Sequence, residues 1–381
     1  MIPRKYYLIQ FMLSAVFISL FFGPAAIAQH KPKYVIIGYA GGRPIDTTMI
    51  NPMRLTHLNY AFVSCQHNRA VLSNPANDTV NFKYLVSLKK RNPDLKILIS
   101  IGGWGGCRYF SDAALTDTSR DAFAASAVDI VSRYHLDGVD IDWEYPDDIG
   151  ANNIFRAVDK YNYTLLFKAI RHRLDSVAAI NHHTYQLTAA VGGFKRFLLQ
   201  TDMGEAQKYL DYVSLMTYDY SQDSLHMAIH HTNLYPSKKY TLPAQNSVYQ
   251  SVIDFEAAGV PASKLVIGIA FYGRGEGVVA GSQNGIGEKM SDIRVHGGGY
   301  TYLKDSLINK KGYTYYRDDD AKAPYLFNSE KLEFITFDDE WSVENKCKFV
   351  KKYHLAGAMF WDYNSDRKEY LLKEIDKELE E

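Results

Sequence analysis

The sequence predicts an α/β protein built as a (β/α)8 barrel, with a small α+β insertion between the seventh strand and its helix. Short apolar segments that suit strands alternate with amphipathic segments that suit helices along most of the chain, and no linker rich in Pro, Gly or Ser separates them. The length of 381 residues and the hydrophobic content of 46% suit one large globular domain or a domain with an insert. In such a barrel the functional side chains lie at the carboxyl ends of the strands.

Eight apolar segments make up the predicted strands. They are Tyr34–Tyr39, Leu58–Val63, Lys96–Ile101, Gly138–Trp143, Gln186–Val191, Tyr212–Met216, Leu265–Ala270 and Gly357–Phe360. The amphipathic segments between and after them predict helices, although no clear helix follows the first strand. The predicted helices are Phe82–Arg91, Arg120–Tyr134, Tyr163–Val177, Gly204–Leu210, Ser247–Ala258, Val343–Tyr353 and Tyr370–Leu379.

The alternation of strands and helices is interrupted after the seventh strand. From Gly275 to about Glu333 the sequence is rich in Gly and Tyr and lacks an apolar period of helical length. Tyrosine-rich stretches such as Tyr313-Thr314-Tyr315-Tyr316 favour short strands in an inserted module over an unstructured loop. The predicted division is a signal peptide over 1–28, a (β/α)8 barrel over 29–274 and 334–381, and an insertion domain over 275–333.

The first residues predict a secretory signal peptide. Arg4 and Lys5 precede an apolar run from Tyr6 to Phe22, and the small residues before Gln29 suit a cleavage site. The mature protein would then be secreted or periplasmic and free of the membrane. An uncleaved membrane anchor is the alternative, because the apolar run approaches the length that spans a bilayer.

Charge and cysteine content restrict the partners that we expect. With 43 basic and 43 acidic residues, no strong electrostatic field favours nucleic acid or an acidic membrane surface. The three cysteines, Cys65, Cys107 and Cys347, cannot form a disulfide framework, and none has the spacing of a metal ligand. Cys65 and Cys107 follow neighbouring predicted strands, so one disulfide between them is an alternative to free thiols. The default oligomeric state is a monomer.

Three carboxylates share one face of the fourth predicted strand, because side chains of an extended chain alternate between its faces. The three acids are Asp140, Asp142 and Glu144, and the apolar residues between and before them are Val139, Ile141 and Trp143. Like charges this close cannot all ionise freely, so at least one carboxyl should keep its proton at neutral pH, as a general acid requires. The alternatives are a half-exposed strand with a polar face and a Mg²⁺ or Ca²⁺ site, although the calcium-loop pattern requires a loop turned by glycine.

The spacing Asp-x-x-Asp-x-Asp-x-Glu closely resembles the signature of glycoside hydrolase family 18, the chitinases and their relatives. It is formed here by Asp137, Asp140, Asp142 and Glu144, and Tyr145-Pro146 after it also fits. The resemblance implies a (β/α)8 barrel with Glu144 at the carboxyl end of the fourth strand. It also assigns the insertion to the domain that walls one side of the substrate groove in a subgroup of the family.

Further motifs at the predicted strand ends extend the resemblance. Ser100-Ile101-Gly102-Gly103 resembles the family's Ser-x-Gly-Gly, Met216-Thr217-Tyr218-Asp219 its Met-x-Tyr-Asp, and Phe271-Tyr272-Gly273-Arg274 a motif in which Pro stands where this chain has Ala270. The resemblance implies substrate contacts from Tyr39, Phe62, Gly103, Trp104, Tyr145, Met216, Asp219, Arg274 and Trp361, and structural roles for Asp137, Ser100 and Gly102. The segment Tyr220-Ser221-Gln222-Asp223 lacks the Trp of many family chitinases, and we expect no appended carbohydrate-binding module. We therefore do not expect strong action on crystalline chitin.

The resemblance implies substrate-assisted hydrolysis without a protein nucleophile, a metal or a cofactor. Glu144 would protonate the glycosidic oxygen while the 2-acetamido carbonyl of the substrate attacks the anomeric carbon, and Glu144 would then activate water. Asp142 would accept the N–H of the intermediate, Tyr218 would orient the carbonyl, and Asp140 would share a proton with Asp142. The expected substrate is a β-1,4-linked N-acetylglucosamine polymer. Glycoprotein or peptidoglycan glycans, or chitin binding without catalysis, are the alternatives.

Overall fold

The computed structural model describes residues 33–41, 44–46, 48–220, 226–279 and 283–380. The predicted signal peptide lies outside these residues, and so does most of 220–223, the segment that lacks the Trp of many family chitinases. Within the described residues, we find no helix with the length and apolar character needed to cross a membrane.

The strands and helices follow one another in nearly regular alternation. In chain order the strands are β1 (Val35–Ala40), β2 (His57–Gln66), β3 (Arg69–Val71), β4 (Lys96–Gly102), β5 (Gly138–Asp142), β6 (Gln186–Gly192), β7 (Tyr212–Met216), β8 (Leu265–Ala270), β9 (Arg274–Val278), β10 (Met290–Val295), β11 (Thr314–Asp318), β12 (Ala323–Asn328), β13 (Glu333–Thr336) and β14 (Gly357–Trp361). The α-helices are α1 (Pro75–Ser87), α2 (Phe110–Ala114), α3 (Asp117–Arg133), α4 (Asp159–Asn181), α5 (Lys195–Leu199), α6 (Met203–Ala206), α7 (Val248–Ala257), α8 (Tyr300–Ser306), α9 (Glu340–Lys352) and α10 (Tyr370–Glu380).

Eight parallel strands close into a barrel, which confirms the predicted fold class. Their order is β1-β2-β4-β5-β6-β7-β8-β14, and β1 pairs with β14 as well as with β2, so that the sheet has no free edge between them. All eight predicted strands are present, each within three residues of its predicted bounds. Closure brings the carboxyl ends of all eight strands to one end of the barrel, where a (β/α)8 protein places its site.

Two apolar layers follow from the alternation of side chains along the barrel strands. Val139, Ile141 and Trp143 are fully buried in the large core between strands and helices. A smaller cluster formed by strand residues, among them Ile37 and Met359, fills the interior. The carboxylates of β5 are on the interior side, since the Tyr39 hydroxyl of that cluster donates to Asp140.

The helices and short elements differ from the prediction in a few places. The helix expected from Phe82 begins at Pro75, because the Asn74 side chain caps it by accepting from the Asn77 N–H. Between β1 and β2 the described residues contain one 3-10 turn, Pro52–Arg54, in a stretch where the sequence marks no helix. The short β3, which pairs with the end of β2, and the single-turn helices α2 and α5 were not predicted.

The insertion is an ordered module, as predicted, and not a loop. Five antiparallel strands in the order β10-β9-β13-β12-β11 form its sheet, and α8 lies between β10 and β11 in the chain. The sheet begins at Arg274 and ends at Thr336, slightly beyond the predicted limits on both sides. The division into domains stays a prediction. All three cysteines are buried free thiols, so the alternative disulfide between Cys65 and Cys107 is not formed.

Candidate active site

A cleft of about 1740 Å³ opens at the carboxyl ends of the barrel strands. Thirteen of the predicted residues line it: Tyr39, Phe62, Gly102, Gly103, Trp104, Asp142, Glu144, Tyr145, Met216, Tyr218, Asp219, Arg274 and Trp361. Residues of the insertion, including Glu276 and Val295, also line the cleft. The structure therefore brings together residues that are spread over more than 300 positions of the chain.

Asp140 lies beneath the cleft and is held by three hydroxyl groups. Its Oδ2 accepts from the Tyr39 hydroxyl at 3.1 Å and the Ser100 hydroxyl at 2.7 Å. Its Oδ1 accepts from the Thr188 hydroxyl at 2.6 Å. Burial raises the pKa of Asp140, and these hydrogen bonds oppose that shift. Asp140 thus contributes charge and hydrogen bonding from below without reaching the cleft.

Asp142 lies at the floor of the cleft with one oxygen unused. Its Oδ1 is buried and has no hydrogen-bond partner among the described residues. Burial raises the pKa of Asp142 well above its usual value, and the nearby carboxyls of Glu144 and Asp140 raise it further. A buried acceptor without a partner is costly, so this oxygen is suited to a donor that a ligand brings.

Glu144 follows β5 by two residues and reaches the cleft with a carboxyl that is almost fully buried. Burial raises the pKa of Glu144 to about 7, and the negative charge of Asp219 adds to this shift while a hydrogen bond with Tyr145 opposes it. A carboxyl with such a pKa can both donate and accept a proton near neutral pH. This property is the one expected of a residue that acts first as acid and then as base.

Asp219 is a fixed anion at the rim of the cleft. It accepts hydrogen bonds of 2.7 Å from the Tyr272 hydroxyl and from both Nε and Nη2 of Arg274. Although burial acts to raise it, hydrogen bonds from His231 and Arg274 hold the pKa of Asp219 well below its usual range. Its backbone lies in the left-handed region, with φ of 59°.

Aromatic rings form the remaining floor and one side of the cleft. Trp361 stacks on Phe62 with ring centroids 5.4 Å apart and lies 5.9 Å from the ring of Tyr39. Trp104 is 58% exposed and packs edge-on against Tyr145. Flat apolar faces of this kind suit the C–H-rich faces of sugar rings. Tyr218 is also in the cleft, where its hydroxyl lies 3.8 Å from Met359 Sδ.

The three residues with predicted structural roles lie around β4 and β5. Asp137, just before β5, accepts from the Ile97 N–H and pairs with Lys89, at the end of the barrel opposite to the cleft. Ser100 supports Asp140 from below. A Cβ on Gly102, whose φ is +118°, would lie 2.0 Å from the Asp142 carbonyl oxygen, so only glycine allows β4 and β5 to approach here.

Several residues that shape the site were not selected from the sequence. Tyr272 could have been selected, because it belongs to the motif Phe271-Tyr272-Gly273-Arg274 quoted for the family resemblance. Thr188 and His231 contact Asp140 and Asp219 from β6 and from a loop after β7, and nothing in the local sequence distinguishes them. The same is true of Cys107, whose thiol contacts the backbone of Glu144. Among the described residues, no group of three or more His, Cys, Asp or Glu side chains is placed to hold a metal ion.

Comparisons with known proteins agree with this geometry. The model of the family "Glycosyl hydrolases family 18" matches residues 35–366. Chitinase A1 of Niallia circulans is 33% identical, with 98% of this chain and 62% of that protein covered, so the chain spans less than two thirds of that relative. Endochitinase 1 of Metarhizium robertsii is 31% identical, with coverages of 86% and 79%.

A solved structure of similar length extends the comparison. The glycoside hydrolase family 18 N-acetylglucosaminidase of Paenibacillus barengoltzii is 40% identical, with a TM-score of 0.84 over 91% of this chain and 99% of that chain. The family model, these relatives and the carboxylates on β5 point to one assignment. The chain belongs to glycosyl hydrolase family 18.

Proposed function

We propose that this enzyme hydrolyses β-1,4-linked N-acetylglucosamine polymers, chitin or chitooligosaccharides, with retention at the anomeric carbon. The proposal is carried by two carboxyl groups that lie in the same aromatic cleft. The pKa of Glu144 is about 7, and Asp142 has a buried oxygen without a hydrogen-bond partner among the described residues. The chitinase names of two similar relatives support it. On its N-terminal sequence alone, we also propose that the protein is secreted or periplasmic.

The first step divides between the enzyme and the substrate. Glu144 donates its proton to the glycosidic oxygen, and the bond from that oxygen to the anomeric carbon breaks. The 2-acetamido carbonyl oxygen of the same sugar attacks the anomeric carbon, which gives a cyclic oxazolinium ion. Retaining glycosidases ordinarily use a second carboxylate as nucleophile, and family 18 is a substrate-assisted exception.

Asp142 and Tyr218 act on the acetamido group. The N–H of the oxazolinium ion donates to the free oxygen of Asp142, and the Tyr218 hydroxyl orients the carbonyl. Asp140 supports Asp142 through the charge between them. In the second step the ionised Glu144 takes a proton from water, whose oxygen opens the ring on the face that the leaving group left.

The other carboxylates of the site are engaged by the protein. Asp219 is held by Arg274 and Tyr272, and Asp140 by three hydroxyl groups. Asp142 is therefore the carboxylate with an oxygen available to the acetamido group. Because the reaction needs this group, a polymer of glucosamine without acetyl groups should not be cleaved.

The cleft accommodates several sugar units. Its volume of about 1740 Å³ exceeds the roughly 300–1,000 Å³ that is usual for pockets of small ligands. One similar protein is named an endochitinase and another an N-acetylglucosaminidase. The length of the released product distinguishes these two modes of cleavage.

The test is hydrolysis of a series of N-acetylglucosamine oligomers by the parent enzyme and a Glu144→Gln variant, with products resolved by mass and the new anomer identified by NMR. We expect the rate to fall at least ~10²-fold in the variant, the scale of one general acid. Glu330→Gln, in an exposed turn, is the matched control and should retain the parent rate.

Other outcomes would redirect the assignment. A parent enzyme that binds oligomers and cleaves none would contradict hydrolysis and favour a lectin. A parent that neither binds nor cleaves them would contradict the chitin substrate, and glycoprotein and peptidoglycan glycans would be tested next. Release of the inverted anomer would contradict the substrate-assisted step.

A further inference from the structure

The thiol of Cys107 contacts the backbone on both sides of Trp143. Cys107 lies in the loop after β4 and is fully buried. Its Sγ accepts from the Glu144 N–H at 3.1 Å. The same sulfur lies 3.0 Å from the Asp142 carbonyl oxygen and 3.2 Å from the Gly103 carbonyl oxygen, so that the S–H can donate to either. One side chain thus joins the loop after β4 to the segment that carries Asp142 and Glu144.

These contacts lie where the hydrogen bonding of the barrel stops. The pairing of β5 ends at Asp142, which is opposite Gly102 on β4 and Ala190 on β6. The Asp142 carbonyl still accepts from the Gly103 N–H at 2.9 Å. The Glu144 N–H lies beyond the last strand pair, and a buried N–H without an acceptor is unfavourable. The Cys107 sulfur is the acceptor that the structure provides.

Cys107 keeps its proton in this position. Burial raises the pKa of the thiol well above its usual value, and the nearby charge of Asp142 raises it further. A reactive cysteine needs the opposite, a lowered pKa and access to solvent. The side chain is therefore a neutral group that donates one hydrogen bond and accepts another.

We propose that Cys107 is a positioning residue for Glu144: its thiol fixes the peptide group before Glu144 and thereby the direction in which the carboxyl enters the cleft. The inference rests on the proposed acid and base role of Glu144. Proton transfer depends on placement, and a misplacement of about 1 Å can lower the rate about 10²-fold. Packing alone is the competing explanation, and it requires only that a residue of similar volume fill the site.

The test compares substitutions that differ in hydrogen bonding. Cys107→Ala removes the donor and the acceptor, and Cys107→Ser restores both at nearly the volume of Ala. Cys107→Val also removes the donor and the acceptor, but it adds one methyl group. Cys347, a fully buried cysteine on α9, supplies matched controls as Cys347→Val and Cys347→Ser. For each variant kcat, KM and the pH profile of kcat are measured on an N-acetylglucosamine oligomer. Amide exchange at Glu144 is measured by fragmentation mass spectrometry.

We expect kcat of Cys107→Val to fall about 10-fold to 100-fold with little change in KM, because the carboxyl of Glu144 has moved. For the same reason, the alkaline limb of the pH profile of kcat should shift. Exchange of the Glu144 amide should become faster in this variant. Cys107→Ser should recover most of kcat and the slow exchange, and the Cys347 variants should retain both. If Cys107→Val does not fold, the same differences are expected between Cys107→Ala and Cys107→Ser.

Two results would overturn the proposal. One is a Val or Ala variant with the kcat, pH profile and amide exchange of the parent. The other is an equal loss in the Val, Ala and Ser variants, which would assign Cys107 to packing. Should the parent enzyme cleave no N-acetylglucosamine oligomer, the proposed function fails, while the exchange rates still decide whether the thiol holds the Glu144 backbone.

Discussion

The carboxyl of Glu144 owes its proton affinity to its surroundings. Burial raises its pKa to about 7, and the charge of Asp219 contributes to that shift. Because a general acid must be protonated in the free enzyme, we expect kcat/KM to fall as the pH rises through about 7. The measurement is kcat/KM on an N-acetylglucosamine oligomer from about pH 5 to about pH 9. A constant value across this range would contradict the assignment of Glu144 as the acid.

The same shift makes a prediction for stability. The pKa of Glu144 in the folded protein lies above its ordinary 4.5, so the folded state favours the neutral carboxyl. This stabilisation is complete below about pH 4.5 and is lost as the pH rises through about 7. Glu144→Gln stays neutral, and we expect it to exceed the parent in unfolding free energy by up to about 3 kcal/mol above pH 7. Urea unfolding of both proteins at acidic and at alkaline pH measures this difference in unfolding free energy. The same difference between variant and parent at both pH values would contradict the prediction.

At the level of elements, α9 is joined to the end of β8 by a buried ion pair. Lys346 on α9 is fully buried, and its Nζ donates to Asp338 at 2.6 Å and to the Thr232 hydroxyl at 2.7 Å. Asp338 also accepts from the Ala270 N–H. The contact therefore connects α9, the loop after β7 and the strand that precedes Tyr272.

Removing one partner of this ion pair should be costly. Lys346→Met leaves the carboxylate of Asp338 buried without its cation, and we expect a loss of about 3–5 kcal/mol in unfolding free energy. The control is Lys348→Met on the same helix, because Lys348 is 60% exposed in its pair with Glu344 and such pairs contribute about 0.3–0.5 kcal/mol. Equal losses in the two variants, measured by urea unfolding, would show that the ion pair has no special role.

Elements whose existence depends on apolar periodicity were predictable, and those that depend on single polar contacts were less so. Strand β8 is a continuous apolar run because both of its faces are buried. The start of α1 depends on one capping interaction of Asn74, and its polar first turn carries no apolar period. The short β3 forms only because it pairs with the end of β2.

For the molecule as a whole, the state of the cysteines gives a direct test of the fold. Cys65, Cys107 and Cys347 are all buried free thiols. We expect none to react with a chromogenic thiol reagent while the protein is folded, and all three to react after unfolding in denaturant without reductant. A count of one thiol after unfolding would instead reveal a disulfide between two of them. Cys347→Ala is the control and should lower the count by one.

The sequence alone determined the order of strands and the chemistry of β5. Alternation along an extended chain places Asp140, Asp142 and Glu144 opposite their apolar neighbours whatever the rest of the fold does. The motifs at the strand ends, through their resemblance to glycoside hydrolase family 18, then predicted which side chains meet in the cleft. Parallel strands of a barrel end at the same side, which agrees with that prediction. Thirteen of the sixteen predicted site residues line that cleft.

Only the tertiary structure decided how these groups are held. Asp219 and Arg274 are 55 positions apart and Cys107 and Glu144 are 37 apart, and their hydrogen bonds depend on how the barrel closes and where its loops cross. The pKa of Glu144 and the unpartnered oxygen of Asp142 likewise follow from burial, which a sequence does not specify residue by residue. Local chain geometry repeats every two residues in a strand, whereas contacts between distant segments depend on the packing of the whole chain.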